Sequence, residues 1–192
     1  MKKQTKKLIF IFLLLSIGGY AQVKSGPMLG YSEMREVLLW IQTTKSEKVK
    51  FGYWEKETPA NKFYTDEVST NKDNAFVAKS IANQVLPGKK YQYEVWLSGK
   101  LMKFSYPLEF QTQTLWQYRT DPPAFKFAVG SCTYTNEERF DRPGAPYGKS
   151  PQIFEKIYDQ KPNFMVWGGD NIYLREADWN TKTGIYHRYS EF

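Results

Sequence analysis

Phe125-Lys-Phe-Ala-Val-Gly-Ser-Cys132 and Phe164-Met-Val-Trp-Gly-Gly-Asp-Asn-Ile-Tyr173 are short apolar runs, each followed at once by a possible metal ligand. Between them, Ser150-Pro-Gln-Ile-Phe-Glu-Lys-Ile-Tyr-Asp-Gln160 reads as a helix. Ser150 can cap it, Pro151 suits its first position, and Ile153, Phe154, Ile157 and Tyr158 form one apolar stripe. The order is strand, helix, strand. If the two strands are parallel neighbours, a right-handed crossover brings Cys132 and Asp170 to one edge of the sheet, where open α/β folds bind ligands.

Asp170 and Tyr173 are three residues apart on the chain leaving the second strand, and a carboxylate with a phenolate offers two hard oxygen donors. The thiolate of Cys132 would add a soft donor and favour a transition metal. Taken singly, each residue has a plainer role: Cys132 as a buried small hydrophobe, Asp170 as a turn or capping aspartate, Tyr173 as core packing. Their joint placement at one sheet edge is what points to a site.

These two motifs, with the intervening loop containing Asp141-Arg-Pro-Gly144 and the continuation Leu174-Arg-Glu176, resemble the opening of the metallophosphatase domain of PhoD-like alkaline phosphatases. The resemblance covers about residues 124–192, with a weaker match in the preceding β-rich region. It implies that Asp170 is a metal-bridging carboxylate with a catalytic role, and that Tyr173 and Cys132 are phenolate and thiolate ligands of an active-site iron. Calcium ions would share neighbouring positions, and other divalent metals are compatible. Where some relatives carry an arginine after the aspartate, this chain has Asn171, which could give phosphate one amide hydrogen bond without the bidentate grip of arginine. The implied reaction is phosphoric ester hydrolysis, in which metals neutralise the phosphate oxygens and activate water for attack on phosphorus.

No protein nucleophile is needed for that chemistry, and the sequence contains no Gly-x-Ser-x-Gly elbow, no Gly-x-x-x-x-Gly-Lys phosphate loop and no paired histidines. The resemblance also implies further aspartate, asparagine and histidine ligands from later strands. This sequence has one histidine, His187, which reads as a solvated or locally hydrogen-bonded side chain. The expectation is therefore the front part of a longer enzyme, with little activity alone.

At the other end, Lys2, Lys3, Lys6 and Lys7, an apolar run from Leu8 to Ile17, and Gly19-Tyr20-Ala21 read as a cleavable export signal over residues 1–21. A run of ten residues, nine of them apolar, is too short to span a bilayer, so no transmembrane segment is expected after cleavage. Localisation would be periplasmic, cell-surface or extracellular. Loss of those four lysines takes the formal charge from +7 to +3. The remaining charges alternate in sign, and no nucleic-acid-binding patch is formed. A single cysteine excludes an internal disulfide framework.

Residues 22–114 are rich in β-branched and aromatic residues separated by polar turns, the pattern of an all-β, fibronectin III-like sandwich. Residues 36–43, 49–54 and 91–97 read as strands, and 101–112 as the last one. Leu86-Pro-Gly88 followed by Tyr91 resembles a tyrosine corner, in which the phenol hydrogen-bonds back across the turn. Residues 115–123, ending in Asp121-Pro-Pro123, read as a linker with a boundary near 120. Residues 124–192 begin the α/β metallophosphatase domain with its first βαβ portion. The 17-residue loop 133–149 reads as an active-site rim, with a disordered flap as the other possibility. The competing functional reading is a non-catalytic exported sandwich that binds glycans or surface partners. A third is a fragment left with an exposed sheet edge and an uncovered apolar face.

Overall fold

The computed structural model describes residues 22–134, 138–140, 143–144 and 152–191, and the chain divides into compact units of residues 1–120 and 121–192. The expected export signal, Asp141, Arg142, Pro146, Gly148, Ser150 and Pro151 lie outside the described residues.

The first unit is a β-sandwich. Strands β1 (Val23–Ser32) and β2 (Val37–Thr43) pair antiparallel, and β2 also pairs with β6 (Val77–Ala82). In the second sheet β3 (Lys48–Glu55) lies between β4 (Lys62–Tyr64) and β7 (Lys90–Leu97), with β5 (Val68–Ser69) also on β3. Strands β8 (Lys100–Leu101) and β9 (Glu109–Gln111) both pair with β7. Residues alternate between faces along each strand, so Val37, Leu39 and Ile41 of β2 meet Val49, Phe51 and Tyr53 of β3 and Val95 and Leu97 of β7 in one buried cluster. The strands read from the sequence recur here within one residue at each end.

The last strand departs from expectation. Instead of one strand over 101–112, residues 102–108 leave the ladder between β8 and β9, seven residues standing where β7 has only Tyr93, Glu94 and Val95. The Met102 N–H to Val95 carbonyl and Tyr93 N–H to Leu108 carbonyl bonds tie this excursion to β7, and the Tyr106 hydroxyl donates to the Gly26 carbonyl at 3.1 Å. Pro107 within it has no N–H to give the ladder.

The expected corner forms. Tyr91 is buried, and its hydroxyl accepts the Leu86 backbone N–H at 2.8 Å. Tyr91→Phe leaves that partly buried donor without its acceptor and is expected to cost about 1 kcal/mol, read as a lower denaturant midpoint at unchanged slope. An unchanged midpoint would show the hydroxyl to be idle.

In the second unit, β10 (Phe127–Gly130) and β11 (Phe164–Trp167) are parallel neighbours in register from Phe127 opposite Phe164 to Gly130 opposite Trp167. Between them in the chain lies α1 (Gln152–Asp159), which packs Phe154 against Trp167 at 5.7 Å between ring centroids. Strand, helix and parallel strand thus occur in the expected order. The expected four-residue stripe is only half used: Phe154 and Ile157 are half-buried, while Ile153 and Tyr158 are exposed. Two strands give too narrow a surface to cover the whole stripe. The opposite sheet face is open, with Phe127 52%, Val129 67% and Phe164 49% exposed and no cover among the described residues. A 3-10 turn (Glu176–Asp178) and α2 (Lys182–Glu191) complete the unit. No helix among the described residues is long and apolar enough to cross a membrane.

Candidate metal centre

The segments leaving β10 and β11 stay joined beyond the strands. Gly168 N–H bonds the Gly130 carbonyl at 2.7 Å, Cys132 N–H the Gly169 carbonyl at 3.2 Å, and Thr133 N–H the Asp170 carbonyl at 3.1 Å. Register in the parallel pair is thereby carried into the loops, which is why residues 38 positions apart share one corner. Gly169 turns the chain at φ +123°, with open space around it, so it is the backbone conformation that requires glycine there.

Cys132 (φ 59°) and Asp170 (φ 49°) both adopt the left-handed region, which disfavours residues carrying a Cβ. Aspartate tolerates it better than cysteine because its short polar side chain can bond locally. Strain at both proposed ligands is the kind of local irregularity that accumulates at functional sites.

The three side chains meet at one atom. Tyr173 donates its hydroxyl to Asp170 Oδ2 at 2.7 Å, and Cys132 Sγ lies 3.6 Å from the same oxygen. Asp170 and Cys132 are exposed and Tyr173 is half-buried, so the corner is open to solvent. Hydrogen bonding to Asp170, then to Cys132, pushes the Tyr173 phenol above its ordinary value. The phenol is therefore held as a proton donor, and a metal taking it as phenolate must displace that proton. Asn171 is exposed immediately beside Asp170. His187 lies on α2, half-buried.

Carboxylate, phenol and thiol around one point fit a transition metal such as iron. Calcium, which takes oxygen ligands, would find the carboxylate useful but not the thiol. Among the described residues no group of three or more His, Cys, Asp and Glu side chains is placed to hold a metal ion; this corner brings two such residues, Cys132 and Asp170, beside a tyrosine.

Two neighbours were not legible as part of this corner. Tyr134 packs on Tyr173 with ring centroids 5.4 Å apart, and the Arg175 guanidinium lies 5.1 Å from the centre of the Tyr134 ring. Arg175 follows Tyr173 by two on a segment without helix, a spacing that places alternate side chains on one side when the backbone is extended. Tyr134 carries no comparable sequence signal.

Neither a family model nor a curated protein sequence matches the chain. Among solved structures, PhoD is similar at 18% identity and a TM-score of 0.45, over 60% of this chain and 23% of that one. The short sensor domain of the anti-sigma factor RsgI4 from Pseudobacteroides cellulosolvens matches at 17% identity and 0.37, over 45% of this chain and 89% of that one. The FN1–FN3 domains of chicken CNTN1 match at 15% identity and 0.33, over 45% of this chain and 30% of that one.

Proposed function

We propose that the chain carries part of the metal centre of an exported, PhoD-like phosphoric ester hydrolase acting on phosphate monoesters or diesters. The observation that carries this reading is the convergence of Cys132 Sγ and the Tyr173 hydroxyl on Asp170 Oδ2. In this reading Asp170 holds the metal and fixes the distance between the other two donors. Tyr173 as phenolate and Cys132 as thiolate would be the other two ligands, their protons passing to solvent, and ligation would also protect the lone thiol from oxidation. A bound metal supplies Lewis-acid neutralisation of phosphate oxygens and lowers the pKa of water. Asn171, at the exposed rim, supplies one amide donor for a phosphate oxygen. The open corner leaves room for a substrate that need not be drawn into a deep cleft.

Three donors from a single corner hold a metal less firmly than a filled shell, so turnover by the 192-residue chain alone is expected to be low. The test is therefore binding. Addition of ferric iron to the purified chain is expected to give saturable uptake, proton release and a phenolate or thiolate charge-transfer absorption. That absorption should fade in Tyr173→Phe and in Cys132→Ser. A chain that stays colourless and takes up no iron overturns the reading.

A further inference from the structure

Tyr173 can serve as a donor only if its ring is held so that the oxygen stays beside Asp170. A free tyrosine side chain rotates about its Cα–Cβ bond and so sweeps the phenol oxygen through several ångströms. The side chains next to that ring form an ordered series. Tyr134, on the segment leaving β10, lies against it at 5.4 Å with the ring planes inclined by 48°, and the Arg175 guanidinium lies over the Tyr134 ring at 5.1 Å.

Arg175 is itself fixed. It is 5% exposed, and its Nη2 donates to the Phe140 carbonyl at 2.9 Å. Its backbone N–H donates to Asp178 Oδ2 at 2.8 Å, and the same oxygen receives Arg188 Nε from α2 at 2.8 Å. Asp178 and Arg188 are 2% and 1% exposed. Among the described residues its guanidinium meets a carbonyl and an aromatic face.

Resting on the metal reading above, we infer that Tyr134 and Arg175 are positioning residues: the clamped guanidinium holds Tyr134, and Tyr134 holds the Tyr173 ring with its oxygen at Asp170. Tyr134 touches the Tyr173 ring, and Arg175 acts through Tyr134. Ring-on-ring packing and a partly desolvated cation over a ring supply attraction with the directional preference such a brace needs. It also links the corner to the turn and α2, so that the last described helix bears on the metal site through Asp178 and Arg175.

The experiment compares ferric iron titrations of the full chain and of Tyr134→Phe, Tyr134→Leu and Arg175→Met, following affinity and the phenolate charge-transfer band. Tyr134→Phe keeps the ring and is expected to bind as the parent does. Tyr134→Leu and Arg175→Met are expected to weaken binding about 10- to 100-fold, the range for partners that orient a ligand, and to shift or broaden the band. Parent-like affinity and band in both overturn the inference while leaving the metal reading in place. Should Arg175→Met fail to fold, the contrast between leucine and phenylalanine at 134 decides alone. Should the parent take up no iron, the metal reading fails. The positioning is then read without metal from the Tyr173 χ1 rotamer populations, given by side-chain scalar couplings in NMR, which are expected to spread over more than one rotamer in Tyr134→Leu and to stay as in the parent in Tyr134→Phe. Equal populations in all three chains overturn it.

Discussion

Asp178→Ala is expected to destabilise the 121–192 unit by about 3–5 kcal/mol, the cost of removing one partner from a buried ion pair. Its Oδ2 accepts both Arg188 Nε and the Arg175 backbone N–H at 2.8 Å. Arg188 is the more costly partner to orphan, because it is 1% exposed and its Nη1 and Nη2 have no hydrogen-bond partner among the described residues. Without Asp178 a guanidinium would remain buried with no counter-charge at Nε either. Gly184 shows how closely α2 is seated on this turn: a Cβ there would lie 2.5 Å from the Asp178 carbonyl oxygen. Loss of the carboxylate should therefore free α2, seen as faster hydrogen exchange across 182–191 with the sandwich amides unchanged. Parent-like protection in α2 would refute the pairing as its anchor.

The same carboxylate sets an acid limit. Burial by itself would raise its pKa, but hydrogen bonds from Arg188 and the Arg175 backbone outweigh burial and hold it below the ordinary value. A group whose folded pKa is depressed stabilises fully above its unfolded value, near about 3.9 for aspartate, and loses that contribution as pH falls toward the folded one. α2 should loosen in that acid window, and in Asp178→Ala this pH dependence should disappear.

How much of this was readable follows from which residues bear the information. Period-two alternation marks β2, β3 and β7 because each has one face in the core, and Leu86-Pro-Gly88 before Tyr91 marks the corner because its geometry is local. The split of the last strand was hidden. Residues 102–108 include Met102, Phe104 and Leu108, an apolar spacing a strand would share, and only the register with β7 shows that they stand outside the ladder. At the corner, Cys132 and Asp170 were legible because each comes within three residues of the end of an apolar strand. Their meeting rests on parallel pairing, a long-range fact that the helical segment between them implies. Arg175, Asp178 and Arg188 were not legible, because charged residues in a polar stretch ordinarily face water and nothing in their spacing announces burial.

Asp170→Asn is expected to abolish saturable iron binding, weakening it by more than the roughly 10- to 100-fold typical of losing an outer-shell partner. This substitution isolates the charge. Asparagine is among the residues that best tolerate the left-handed conformation at φ 49°, so the turn after Gly169 should persist. Its amide oxygen can still accept the Tyr173 hydroxyl bond that Asp170 Oδ2 now takes at 2.7 Å. What disappears is the negative charge that must offset a multivalent cation at an exposed corner. The Tyr173 phenol should also move back toward its ordinary pKa, since the bond to the Asp170 carboxylate is the first cause of its elevation. Loss of iron binding with an unchanged melting temperature and a lowered Tyr173 titration would place the effect on the ligand charge rather than on folding. If Asp170→Asn still binds iron as the parent does, Asp170 is a turn residue whose proximity to Cys132 and Tyr173 serves the backbone alone. The strain at 132 and 170 would then need a structural cause, testable as a gain in stability when Cys132→Gly relieves φ 59°.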